Sequence, residues 1–328
     1  MLGINDIIAA KNRIDKYVHK TPILYSRTLN LLLGHDIYFK AEGLQKIGAF
    51  KIRGGINAVS WLLENNIKPQ KLVTNSSGNH AQALALASKV FNIPSTIFMP
   101  ENVSSVKARA TAAYGADIVF CQNRIVADEK VEEASKAEGT YWIPPFNHEQ
   151  VICGQGTSAY EALNDLNDIN ALFAPCGGGG LLSGSFICAS SLSPSIKVIG
   201  VEPKLANDAF RSLKAGSIVK LTEPPDTVAD GARTMSVGNL TFEYLKKLDD
   251  FFEAEEEEII YWTQWLTHLL KIQIEPTSAM VMAGVTKWLR NQKSKKRLLV
   301  ILSGANIDIN TMNKIWQKDH LQNIPTLN

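Results

Sequence analysis

Cysteine is scarce in this chain. There are four in 328 residues (Cys121, Cys153, Cys176, Cys188), at least a dozen positions apart. That spacing excludes the C-x-x-C pairs of a zinc ribbon or a thioredoxin-type motif. Scattered thiols usually serve as small buried hydrophobes, and a reducing, cytoplasmic compartment is the expectation. Charge of one sign is equally scarce: 34 basic against 32 acidic side chains leave a formal +2. A nucleic-acid partner, which needs a concentrated basic face, is not expected. No apolar run approaches the ~18 residues of a membrane span. The N-terminus meets Asp6 and Lys11 before a signal-peptide core develops, so no membrane partner is expected. What remains is an ordinary core-forming composition, 45% hydrophobic and 20% charged. The length suits about two domains or one large α/β unit. No internal repeat is evident, which excludes a solenoid.

Hydrophobic periodicity predicts a first helix over 4–18, ended at Thr21-Pro22. A strand over 37–41 and a loop running from Gly48 into a helix follow. Strands at 71–74, 95–99, 116–121 and 140–143 then alternate with helices to about Phe91, over 104–114 and over 126–138. The second half repeats this grammar, with strands at 170–175, 197–201 and 297–302 and a helix from the glycines at 177–180 to about Leu192. Such alternation predicts parallel sheets built from βαβ units. The acidic run Glu253–Glu258, interrupted by Ala254, reads as a strand edge leading into a helix start, where carboxylates suit the helix dipole.

Ligands of open α/β sheets collect beyond the carboxyl ends of strands. Three such ends carry unusual residues: Ser76-Ser77-Gly78-Asn79-His80, Gly177–Gly180 and Ser303-Gly304-Ala305-Asn306. Four consecutive glycines lose much backbone entropy on ordering. They let several amides converge on an anion at a helix N-terminus, although tight strand-to-helix packing alone is the competing reading. Neither a P-loop nor a G-x-G-x-x-G fingerprint is present, so a compact phosphate-bearing cofactor fits better than a nucleotide. Lys51, within Gly48-Ala-Phe-Lys-Ile-Arg-Gly-Gly55, is flanked by apolar residues and glycines. A lone lysine is usually a solvated surface group, but this setting can depress its pKa and make it an amine nucleophile. A phosphate cradle plus a Schiff-base lysine is the minimal kit for pyridoxal phosphate.

On four stretches the sequence resembles the fold type II pyridoxal-phosphate enzymes of the serine/threonine dehydratase and serine racemase family. They are Lys40–Gln45 with Gly48–Gly54, Ser76–Gln82, Pro175–Gly180 and Leu302–Asn306. Glu202-Pro203, Ala229–Gly231 and Glu275–Thr277 are further landmarks in the same order. The resemblance implies an α/β, tryptophan synthase β-like fold of two open twisted sheets with flanking helices. A small domain (64–143) would be inserted in a large one (1–63 and 144–328). By resemblance Lys51 forms the Schiff base and moves the Cα proton, while Phe50 lies against the ring. Asn79 bonds the phenolic oxygen, Gly177, Gly178, Gly179 and Gly180 hold the phosphate, and Ser303 faces the pyridine nitrogen. Ser76, Ser77, Gly78, Asn79 and His80 receive the substrate carboxylate. Ser77 stands where racemases carry their second acid/base, or else only shapes that loop. Glu202, Ala206 and Asp208 match the family's divalent-cation site, whose all-oxygen ligands suit Mg²⁺ or Ca²⁺. A homodimer is implied by the resemblance alone.

A hydroxyl at the pyridine nitrogen does not hold a full proton there, so the ring is a weaker electron sink. Prompt loss of a β-leaving group is then favoured over transamination. The expected reaction is α,β-elimination from a β-hydroxy amino acid (threonine, serine or 3-hydroxyaspartate), giving a 2-oxo acid and ammonia. Amino-acid racemisation is the alternative. A β-replacement synthase is disfavoured by Ser-Ser-Gly-Asn-His where those enzymes typically carry Thr-Ser-Gly-Asn-Thr, and a non-catalytic cofactor-binding protein by the intact lysine, asparagine and serine set. Ala305 replaces a common glycine, and Pro145-Phe-Asn147 a common Pro-Phe-Asp. The chain ends soon after its last cofactor motif, so no regulatory domain or isoleucine feedback is expected.

Overall fold

The computed structural model describes residues 1–327 except Ser77, Asn102 and Ser104, and not the side chains of Ser105 and Val106. Among these residues the strands are β1 (Ile23–Leu24), β2 (Asp36–Ala41), β3 (Lys71–Thr74), β4 (Ser95–Pro100), β5 (Asp117–Cys121), β6 (Thr140–Trp142), β7 (Ala171–Pro175), β8 (Lys197–Pro203), β9 (Asp250–Ala254) and β10 (Arg297–Leu302). They build two α/β sheets, as expected. One has the order β5-β4-β3-β6 and is parallel throughout. The other has the order β1-β2-β10-β7-β8-β9 and is parallel except for its edge strand β1.

The larger sheet is covered on both faces, which is why β7 and β10 are nearly continuous apolar runs. Side chains alternate across it. Phe39, Phe173, Leu298 and Val300 enter one core with Trp262 and Met280, while Leu172, Ala174, Leu299 and Ile301 enter another with Leu182. A third core lies under the smaller sheet, where Leu72 and Ile97 meet Ile52, Ile56 and Val59 of the helix Lys51–Glu64. That helix also presses on the helix Glu149–Asp165. A Cβ on Gly154 would come within 2.6 Å of the Arg53 carbonyl oxygen and the Gly54 Cα. The N-terminus of the Lys51 helix is thereby wedged between the cores of the two sheets.

Several boundaries move. The first helix stops at Ile14 rather than 18, and the charged helix spans Arg124–Ala134. The acidic run behaves as expected, with Glu253 in β9 and Glu256–Glu258 in the first turn of the helix Glu256–Leu270. The helix Glu149–Asp165 was not visible in the sequence. It turns Gln155, Thr157 and Ser158 inward along with its glycines, so its buried face carries little apolar periodicity.

Candidate active site

The loops after β3, β6, β7 and β10 are tied together by side chains from one strand end to another. Lys51 opens its helix. Its half-buried side chain donates from Nζ to the Pro145 carbonyl at 2.7 Å, and Nζ lies 5.2 Å from the centre of the Phe50 ring. Among the described residues it makes no ion pair. Burial lowers its pKa to about 8, against the pull of the Glu275 carboxylate. The loop carrying it is pinned to the end of β10: Phe50 N–H donates to the Ser303 carbonyl at 3.0 Å, and Ala305 N–H to that of Gly48 at 2.9 Å.

Asn79 begins the helix Asn79–Phe91. Its oxygen accepts from Asn306 Nδ2 at 2.8 Å, and its own Nδ2 donates to Glu275 at 3.1 Å. The same Nδ2 lies 3.4 Å from the other Glu275 oxygen, so the carboxylate faces this amide with both oxygens. Ser303 is buried, with Oγ 3.0 Å from Ser278 Oγ and 3.3 Å from Glu275 Oε1. Burial, reinforced by Asp230, pushes Glu275 up to about 7, opposed by Asn79, Lys107 and Ser303. Glu275 joins two residues singled out in the sequence, yet sequence reasoning gave it only a landmark's place. Its signal, an acid before a proline, is too common to carry chemistry.

The glycines lie between β7 and the helix Gly180–Leu192. Gly179 needs its φ of +88°, and a Cβ on Gly178 would sit 2.2 Å from the Phe146 ring. Close packing therefore accounts for part of the glycine content. The amides of Gly177–Gly180 nevertheless donate to no acceptor among the described residues. Four free N–H groups at a helix N-terminus, three of them from buried residues, form an anion cradle.

Ser76 Oγ accepts from the Gly78 amide at 3.4 Å. His80 is buried, with Nε2 2.9 Å from the Ile143 carbonyl oxygen, so Nε2 carries the proton and donates. Burial and the nearby Lys51 lower its pKa to about 3, which keeps it neutral. Ser77 lies outside the described residues.

The cation candidates stand elsewhere, at the end of β8 and just after it. Glu202 is fully buried and accepts from the Ala209 and Phe210 amides at 3.2 and 2.6 Å, capping the helix Asp208–Ala215. Asp208 accepts from Thr234 at 3.3 Å through one oxygen, while its other oxygen is buried without a partner among the described residues. Burial raises both, Asp208 to about 7. Ala206 is buried in the short turn between them. No group of three or more His, Cys, Asp or Glu gathers as a metal site among the described residues.

A family model described as "Pyridoxal-phosphate dependent enzyme" matches residues 14–304. The chain belongs to that family. It is 45% identical over 307 residues to the L-threo-3-hydroxyaspartate ammonia-lyase of Saccharomyces cerevisiae, covering 93% of each chain. It is 42% identical to the serine racemase of Dictyostelium discoideum, covering 95% of this chain and 97% of that one. Its fold superposes on the crystal structure of that same racemase with a TM-score of 0.87 at 40% identity, over 94% of this chain and 99% of that one. A threonine deaminase structure superposes equally well, with a TM-score of 0.88 at 38% identity over the same shares. This pyridoxal-phosphate enzyme therefore has the fold type II architecture. Its residues fit the cofactor: an amine of lowered pKa at a helix start, a run of amides without acceptors among the described residues after β7, and a buried hydroxyl after β10.

Proposed function

We propose that the chain is an ammonia-lyase that eliminates the β-hydroxyl of threonine, serine or 3-hydroxyaspartate, yielding a 2-oxo acid and ammonia. The observation that carries this reading is a lysine of lowered pKa in the same site as a serine hydroxyl and four glycine amides, the lysine without an ion partner and the amides without an acceptor among the described residues. When bound, pyridoxal phosphate supplies an electron sink that acidifies the Cα proton of an attached amino acid. The chain's own residues do the rest. Burial lowers the Lys51 pKa to about 8, toward neutrality, which suits Nζ to take that proton. The Gly177–Gly180 amides would hold the phosphate, Phe50 would lie against the ring, Asn79 would serve the phenolic oxygen and Ser303 the ring nitrogen. Ser76, Gly78, Asn79 and His80, with Ser77, form the loop that receives the substrate carboxylate.

Racemisation is the second reading, supported by likeness to serine racemases. It needs a second acid/base on the face opposite Lys51, a role that falls to Ser77. A divalent cation, Mg²⁺ or Ca²⁺, held by Glu202, Asp208 and the Ala206 carbonyl is supported by the unpartnered Asp208 oxygen and by two buried carboxylates with raised pKa. A homodimer follows from the family resemblance, and a cytoplasmic location from four unpaired, buried thiols. The proposed small domain (64–143) is supported by a sheet whose strands all fall between Lys71 and Trp142.

The test is a panel of L- and D-serine, L-threonine and the 3-hydroxyaspartate isomers, scored for oxo acid and product chirality with and without chelator. Oxo acid and ammonia in equal amounts are expected, with activity reduced by chelation. Opposite-handed serine accumulating without comparable pyruvate would replace elimination by racemisation.

A further inference from the structure

The hydroxyl of Ser303 carries a single hydrogen, and the structure surrounds it with more partners than that hydrogen can serve. The Gly304 amide donates to Ser278 Oγ at 2.8 Å, which fixes one side of Ser278. Ser278 then has one hydrogen of its own, to place on the Gly304 carbonyl at 2.9 Å or on Ser303 Oγ at 3.0 Å. On the far side of Ser303 lies Glu275 Oε1 at 3.3 Å. All three side chains are buried, at 0, 1 and 2% exposure for Ser278, Ser303 and Glu275, so water does not settle the arrangement.

Two arrangements satisfy these groups. With Glu275 protonated, the donor chain runs Gly304 N–H to Ser278, Ser278 to Ser303, and the Ser303 hydrogen points into the site. With Glu275 ionised, its oxygen claims the Ser303 hydrogen, and Ser303 offers only a lone pair. We propose that Ser278 and Glu275 are positioning residues that aim the Ser303 hydroxyl, so that the protonation of Glu275 decides whether Ser303 donates to the pyridine nitrogen or turns its hydrogen away from it. The proposal rests on the placement of Ser303 at that nitrogen. It deepens the proposed function, because a ring nitrogen that receives the Ser303 hydrogen bond is a stronger electron sink than one left without a donor, so Glu275 tunes how strongly the ring withdraws electrons. The charged groups facing Glu275 are Asp230, Lys107, paired with Asp230, and Lys51; the uncharged ones are Asn79, Ser303 and Ser278.

The experiment is nitrogen NMR of holoenzyme carrying an isotope-labelled pyridine nitrogen, followed from about pH 6 to about pH 9. The wild-type resonance should move through a single step in that range. Glu275→Gln, which keeps shape and cannot ionise, should abolish the step. Ser278→Ala should displace the acid limb toward the Ser303→Ala value, and Ser278→Thr should restore it. A merely structural role for Ser278 would lower thermal stability and leave the resonance in place. A wild-type resonance that does not move, or a Glu275→Gln enzyme that still titrates, overturns the proposal. A resonance unchanged by Ser303→Ala shows instead that Ser303 is not at the ring nitrogen, and the underlying placement fails with it.

Discussion

Two buried polar clusters meet at the start of one helix and are built on opposite rules. Around Arg53, two residues after Lys51, every charge is matched. Glu42 accepts from Arg53 at 2.8 and 2.9 Å and from Thr21 at 2.6 Å. Glu161 accepts from Arg53 twice at 2.8 Å and from Lys40 at 2.7 Å. Burial alone would raise Glu161, yet Arg53 and Lys40 hold it below the usual carboxylate range. Around Lys51 the matching is incomplete. Among the described residues its amine has no ion partner and the glycine amides have no acceptor, and Glu275 is raised to about 7. The first cluster fixes permanent charges and clamps β2, the Lys51 helix and the helix Glu149–Asp165 together. The second leaves groups near neutrality, where protons move at physiological pH.

The largest expected difference comes from the unmatched lysine. Lys51→Ala should lower kcat by at least about 10²–10⁴-fold while leaving thermal unfolding of the apoenzyme nearly unchanged. Arg53→Met should do the reverse of that separation. It strands two buried carboxylates and should cost about 3–5 kcal/mol in urea unfolding, with activity lost only as folded protein is lost.

The carboxylates sharpen the contrast through the sign of their pH dependence. The folded pKa of Glu275, about 7, lies above its unfolded value near 4.5, so the folded apoenzyme binds the proton more tightly. Stability is then lost as pH rises from about 4.5 through about 7, and Glu275→Gln should be the more stable protein at pH 8 by up to about 3 kcal/mol. At pH 4 the advantage should vanish. Glu161 is depressed, so its contribution is present above the unfolded pKa and lost as pH falls. Glu161→Gln should be destabilised at pH 8. Equal signs for the two variants in paired urea titrations would remove the distinction between the clusters. The smallest effect belongs to the cradle. Gly178→Ala sets a Cβ 2.2 Å from the Phe146 ring and should cost about 1–3 kcal/mol of overpacking, measured in urea unfolding of the apoenzyme.

Much of the second cluster was legible in the sequence because its parts are local. The glycine run, Lys51 between apolar neighbours and Ser303 at a strand end each carry their signal within a few residues. Glu275 and Ser278 were not legible as partners of Ser303, since only the fold brings the turn before residue 280 against the end of β10. The first cluster was hidden for the same reason. Lys40, Glu42 and Arg53 sit inside a recognisable stretch, but their partner Glu161 is 108 residues beyond Arg53, on a helix whose buried polar face masked its periodicity. For the proposed cation site the sequence showed two close carboxylates. The fold adds that one of them already caps a helix.

The central claim is that the unmatched lysine, and not the matched one in the neighbouring cluster, carries the cofactor. Borohydride reduction of the holoenzyme followed by peptide mapping tests it directly. A pyridoxyl adduct on Lys51 is the predicted result. An adduct on Lys40 or any other lysine, with Lys51 unmodified, would contradict it.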